Sequence, residues 1–189
     1  MQPDTDDRDA IRRLKRGDIG GLECLIARYQ GKALRTAFLV THDHAMSEDV
    51  VQDAFVRFFQ RANYFDESCP FEPYFLRSVV NAALNAVQRE SKLQQVDFAE
   101  EASAVEALLE RAASVEEQAE FNALKRQIFE ALSQLPPRQR AAIVQRYYLG
   151  MTEKEMSETL DSPPGTVKWL LNAARARLRS LLRRERMAE

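Results

Sequence analysis

The chain has 189 residues, 45% of them apolar and 30% charged, enough to fill a core in one large or two small domains. Six Gly and seven Pro are too few for a turn-rich sandwich or a collagen-like chain. With 27 Lys and Arg against 29 Asp and Glu, the formal net charge is −2, which on its own does not suggest a nucleic-acid partner.

Almost every segment predicts helix, since none alternates apolar and polar residues over a strand's length. Ile11 to Lys15 predicts a short opening helix, broken at Gly17-Asp18. Gly21 to Val40 carries Leu22, Leu25, Ile26, Tyr29, Ala33, Leu34 and Ala37 at helical spacing. Thr41 to His44 predicts a loop, and Ser47 an N-cap with Glu48 and Asp49 in the positive first turn. That helix runs to about Ala62 with Val51, Phe55, Phe58 and Ala62 buried. A polar loop, Asn63 to Pro70, precedes a helix from Phe71 to Glu90 with Phe71, Phe75 and Val79 inside.

Residues 93–115, rich in Ala, Glu, Ser and Gln, predict a linker with helical stretches. Glu116 to Leu132 predicts a helix packed through Phe121, Leu124, Ile128, Ala131 and Leu132. Leu135-Pro136-Pro137 stops it. Arg140 to Leu149 follows, closed by Gly150. Thr152-Glu153-Lys154-Glu155 is a capping box opening a helix to Leu160. After a turn at Asp161 to Pro164, a last helix runs from Gly165 to Arg184.

Charge is distributed unevenly. Residues 1–95 hold 13 basic and 14 acidic side chains, residues 96–134 hold 3 and 9, and residues 135–189 hold 11 and 6. The basic C-terminal block restores nucleic acid as a partner class. There, a short capped helix, a tight turn and a long basic helix form a helix-turn-helix pattern. Val167, Leu171, Ala174, Leu178 and Leu181 share its apolar face; Lys168, Asn172, Arg175, Arg179, Arg183 and Arg186 lie opposite. Cations and amides on one helix face are the groups that bind phosphates and read base edges.

Leu135-Pro136-Pro137-Arg138-Gln139-Arg140, Arg146 to Ser157 and Gly165-Thr166-Val167-Lys168 together resemble region four of the extracytoplasmic-function (ECF) sigma factors, bacterial subunits that start transcription. Glu48 to Phe55 resembles their core-binding helix, and Phe71 to Val87 their promoter-melting helix. The resemblance implies an all-α fold of two helical domains, region two at 8–92 and region four at 116–186, joined by an acidic linker at 93–115. It implies core RNA polymerase as partner, through the clamp helices of its largest subunit and its flap, together with promoter DNA and an anti-sigma factor. Asp49, Gln52 and Asp53 would dock on the polymerase, where acidic and amide groups complement a basic surface. Helix polarity explains Asp49 as well, but Asp53 less so.

For the minus-10 element the resemblance points to Phe65, Tyr74, Arg77, Asn81 and Asn85, because an unstacked base needs an aromatic face or a small pocket to receive it. Tyr74 stands where the family usually has Trp. For the minus-35 element it points to Thr166, Lys168, Trp169, Asn172, Arg175 and Arg179. The acidic linker would thread the polymerase cleft by charge mimicry, or serve as a solvated spacer.

The resemblance breaks after Lys168, where Trp169-Leu170-Leu171 replaces the family's Ser-Arg-Leu. An Arg in the place of Leu170 would face DNA. An exposed Trp169 suits a thymine methyl, a sugar edge or an inhibitor. These two departures are the only support for an alternative, a sigma mimic that sequesters an anti-sigma factor without binding DNA; the intact Lys168, Arg175 and Arg179 face argues against it.

Catalytic signatures are missing: there is no phosphate loop, nucleophile elbow or triad, and no small-molecule substrate or cofactor is implied. Cys24, Cys69, His42 and His44 match no common zinc spacing. No apolar run approaches the ~18 residues of a membrane span, and Met1 to Asp9 reads as neither signal nor transit peptide. A cytoplasmic location is expected, with an anti-sigma factor able to hold the chain at the membrane.

Overall fold

The structure, a computed structural model, describes residues 3–93 and 115–186, and every regular element in them is helical. Helix α1 spans Pro3–Lys15, α2 Gly20–Thr41, α3 His44–Arg61 and α4 Phe71–Leu93, with a 3-10 turn at Ala62–Tyr64. Helix α5 spans Val115–Ser133, α6 Pro137–Ile143, α7 Glu153–Thr159 and α8 Pro164–Arg186. The greater part of the expected linker lies outside the described residues.

The apolar periodicity of the first half survives folding. Leu25, Tyr29, Ala33 and Ala37 of α2, Val51, Phe55 and Phe58 of α3, and Phe71, Phe75 and Val79 of α4 are all buried. Their rings interlock: Phe55 lies 4.4 Å from Phe75 and Phe58 4.7 Å from Phe71 between centroids. Such pairs add roughly 0.5–1.5 kcal/mol each beyond area burial. Helices α1 and α2 cross at Gly21, where a Cβ would fall 2.2 Å from the Ala10 carbonyl oxygen; only glycine permits that approach.

Two expectations for this half need correction. Helix α1 starts at Pro3 rather than near Ile11 because buried Asp7 ties it down, accepting hydrogen bonds from the Tyr29 hydroxyl and the Arg28 guanidinium. The N-cap of α3 is Asp43, not Ser47. Asp43 has extended backbone and its carboxylate accepts the Met46 N–H at 2.7 Å. Ser47 is buried one turn inside, its hydroxyl donating to the Asp43 carbonyl at 2.5 Å. Either residue type can cap, and Ser47 is drawn inward by Thr41, 2.8 Å away.

In the second half Pro137 occupies the first turn of α6, where its missing N–H costs nothing. Instead of running as one helix to Leu149, α6 widens into a π turn at Val144–Tyr148, closed by Leu149 N–H to the Val144 carbonyl at 3.0 Å. Gly150 then takes φ +67°. Both halves of the capping box form, Glu155 N–H on the Thr152 hydroxyl and Thr152 N–H on the Glu155 carboxylate. Helix α8 packs across α5, α6 and α7 through Val167, Leu170, Leu171 and Ala174, all buried. On α5, Leu124 and Ile128 are exposed, against expectation, while Ala131 and Leu132 are buried. The face of α5 that meets α2 runs through Phe129, next to Ile128 on the helix and about 100° round its axis. The side chain of Phe121 lies outside the described residues.

The two halves pack against each other. Helix α6 lies on α2 and α4, and the apolar core is continuous from Ala10 to Ala174. Phe129 stacks on Phe38 at 5.1 Å and 7° and sits 4.2 Å from the His42 ring. Arg77 of α4 makes an ion pair with Glu155 of the capping box, 78 residues on.

Candidate promoter and polymerase interfaces

Helix α8 opens at Pro164 immediately after the turn from α7, with Pro164, Gly165 and Thr166 exposed and Val167 buried. Lys168, Trp169, Asn172 and Arg179 are exposed, Trp169 at 62%. Arg175 is half-buried. At 100° per residue Lys168, Asn172, Arg175 and Arg179 fall within about 60° of arc, with Trp169 flanking them. Thr166, also exposed, lies on the far side of the buried wedge. Among the described residues no carboxylate pairs with Lys168, Arg175 or Arg179. Arg175 instead donates from Nε to the Tyr147 hydroxyl at 2.8 Å and from Nη1 to Asn172 Oδ1 at 3.3 Å. This face keeps its positive charge. Leu170 is 4% exposed, so in this chain position 170 belongs to the packed face. Side chains beyond Arg183, Arg186 among them, lie outside the described residues.

On α4, Tyr74, Arg77, Asn81 and Asn85 share one stripe within about 80° of arc. Tyr74 is 44% exposed, Asn85 is exposed, and Asn81 and Arg77 are half-buried. Arg77 is occupied by Glu155, and the capping box together with Arg77 holds the Glu155 carboxyl below the usual range. Phe65 is not the open loop aromatic that base capture requires. It is 8% exposed and its ring packs edge-on against Phe58, Phe71 and Tyr74. The loop is drawn inward by Lys15, whose ammonium donates to the Phe65 carbonyl at 2.8 Å and pairs with Glu67 at 3.0 Å. Arg12 also binds Glu67, and its guanidinium holds that carboxyl below the ordinary range. The aromatic that stands open in this loop is Tyr64, 89% exposed. A period count does not separate the two, because adjacent aromatics in a loop carry no helical phase.

On α3, Asp49, Gln52 and Asp53 are exposed, with Asp53 3.3 Å from Arg57 one turn on. Val56 and Phe59, each 46% exposed, extend the same face. Sequence reading missed them, although their absence from the Val51/Phe55/Phe58 phase was a usable signal. An acidic and amide surface around two bare apolar side chains suits a protein partner.

His42 and His44 lie at the junction of the two halves. His42 caps α2 in the left-handed region at φ 56°, and both of its ring nitrogens are buried without a partner among the described residues. Burial, aided by the cationic Arg140, pushes its pKa down to about 3. His44 stacks on Phe38 at 4.3 Å. Cys24 and Cys69 are free and exposed, and among the described residues no three His, Cys, Asp or Glu side chains converge as a metal site. No described helix is long and apolar enough to cross a membrane.

Both halves of the chain match known protein families. Residues 25–93 match the family described as sigma-70 region 2, and residues 125–178 match sigma-70, region 4. The RNA polymerase sigma-H factor of Pseudomonas aeruginosa is 26% identical over 179 residues, covering 93% of each chain. The ECF RNA polymerase sigma-E factor of Escherichia coli K12 is 29% identical over 182 residues, again 93% of each. Among solved structures, CnrH in complex with the cytosolic domain of CnrY shares the fold at TM-score 0.62 and 22% identity, covering 94% of this chain and 97% of that one.

Proposed function

The chain belongs to the sigma-70 family of RNA polymerase sigma factors, in its extracytoplasmic-function group, and on that premise we propose how its surfaces divide the work of promoter-specific initiation. The α3 face of Asp49, Gln52, Asp53, Val56 and Phe59 binds core polymerase. The α4 stripe of Tyr74, Arg77, Asn81 and Asn85, with Tyr64 beside it, engages the minus-10 element. The α8 stripe of Lys168, Asn172, Arg175 and Arg179 enters the minus-35 duplex, with Trp169 at its edge. Residues 8–92 and 116–186 are the two working domains. The observation that carries the reading is the α8 stripe: a row of cations and an amide, free of carboxylate partners among the described residues, on the second helix of a capped helix-turn-helix.

The elements lie about 25 base pairs apart, or ~85 Å of B-form DNA at 3.4 Å per pair. In the structure Arg77 and Glu155 touch, so one chain contacting both elements must first part its halves at that ion pair and at the Phe38/His42/Phe129 cluster. A free anti-sigma factor or the polymerase itself would set which arrangement prevails.

Run-off transcription with purified core polymerase over a library of promoter fragments tests the reading. Promoter-dependent transcripts that vanish with Lys168→Ala support it. Polymerase binding without any transcript would favour the sequestering mimic instead. That alternative rests on Trp169 and Leu170, of which Leu170 is packed inward, and the exposed Lys168 and Arg179 speak for a DNA partner.

A further inference from the structure

Tyr147 has no place in the division of surfaces above, yet the structure gives it a defined contact. It sits in the π turn that ends α6, where Val144 and Gln145 turn inward and Tyr147 is left 62% exposed. Such turns cost helix stability and recur at functional sites. Its hydroxyl accepts from Arg175 Nε at 2.8 Å, and the Arg175 guanidinium carbon lies 5.7 Å from its ring centroid. Asn172 takes Nη1 at 3.3 Å, while the Arg175 carbonyl accepts from Arg179 Nε at 3.2 Å. Nη2 of Arg175 has no partner among the described residues.

The chemistry of these partners is informative. Arg12, Arg57 and Arg77 are each bound to a carboxylate, which orients the guanidinium but cancels its charge. Among the described residues Arg175 is bound only by a phenol and an amide, both neutral. Its rotamer is fixed and its full charge is kept, which suits a group that must meet an anion without first being ordered. We propose that Tyr147 is a positioning residue that holds Arg175 in place for a backbone phosphate of duplex DNA. This rests on the reading of α8 as the minus-35 helix. A phosphate contact is independent of base sequence, so it is measurable without knowing the promoter.

The test is fluorescence anisotropy of the full chain with a labelled random-sequence 30-base-pair duplex between 50 and 200 mM salt. Arg175→Ala is expected to lower the salt slope by about one. Tyr147→Phe keeps the ring and the cation, so it should weaken binding about threefold to tenfold with little change of slope and no change in melting temperature. In the Arg175→Ala background, Tyr147→Phe should have no further effect, because its action runs through that guanidinium. An equal loss in both backgrounds, or no loss in either, overturns the assignment. If Lys168→Ala and Arg179→Ala lower the slope while Arg175→Ala does not, Tyr147 has no positioning role but the helix reading stands. If none of the three lowers it, the helix reading falls as well.

Discussion

Lowering the pH should drive the two halves apart, and His42 is the group through which this acts. In the packed arrangement its ring lies against Phe129 of α5, near buried Arg140 of α6 and beside Phe38 of its own helix. Neither ring nitrogen reaches a hydrogen-bond partner among the described residues. Arg140 is itself pushed down to about 10 by burial, but stays cationic at any relevant pH and opposes a second positive charge. The pKa of His42 is about 3 when packed and returns to about 6.5 once the halves part and water reaches the ring. The packed form therefore binds fewer protons. It is at full strength above pH 6.5 and loses about 1.4 kcal/mol for each unit below, until the packed-state pKa is reached. Between pH 7.5 and 5.5 the ratio of packed to parted molecules should fall about tenfold. Energy transfer between dyes on Cys69 and on Ser180→Cys, in a Cys24→Ser background, reads the separation. His42→Asn is the control, since Asn tolerates the left-handed backbone and does not titrate. Its transfer should be flat over the same range. Identical pH curves for the two proteins would refute the reasoning.

Glu155→Gln should keep the capping box, which accepts either residue, but lose the half-buried pair with Arg77. The same dyes should report about a twofold to fivefold shift toward parted molecules at pH 7.5; no shift would show that the pair contributes nothing. Phe59→Ala, alone and with Asp53→Arg, should weaken core-polymerase affinity about tenfold or more while melting changes by less than ~2 °C, because both side chains are exposed. Unchanged affinity in a titration would remove α3 from the interface. Phe65→Ala should cost about 3–5 kcal/mol as a buried ring and lower the melting temperature by roughly 10 °C. A melting temperature that does not move would return Phe65 to the base-capture site.

The local signals in the sequence were sufficient for most of the helices and for the faces that α3 and α8 display. The Val51/Phe55/Phe58 and Val167/Leu171/Ala174 stripes are inside, because one face of a helix lies 3.6 residues apart whatever packs on it. The Thr152–Glu155 box formed because its partners are three residues apart and need nothing else. The exposed basic row on α8 follows from the same phase. What depended on distant residues was not legible. Whether Phe65 is open or buried turned on Lys15, fifty residues earlier; the choice of Asp43 over Ser47 as cap of α3 turned on Thr41, near in sequence but on the end of the preceding helix. Leu170 and Ile128 are equally apolar, yet one is buried and the other bare, since burial needs a neighbouring surface that periodicity does not supply. The pairing of Arg77 with Glu155, the sealing of His42 under Phe129 and the grip of Tyr147 on Arg175 each join elements remote in the chain. Composition fixes how many such charges and rings exist; only the packing of helix on helix decides which of them meet.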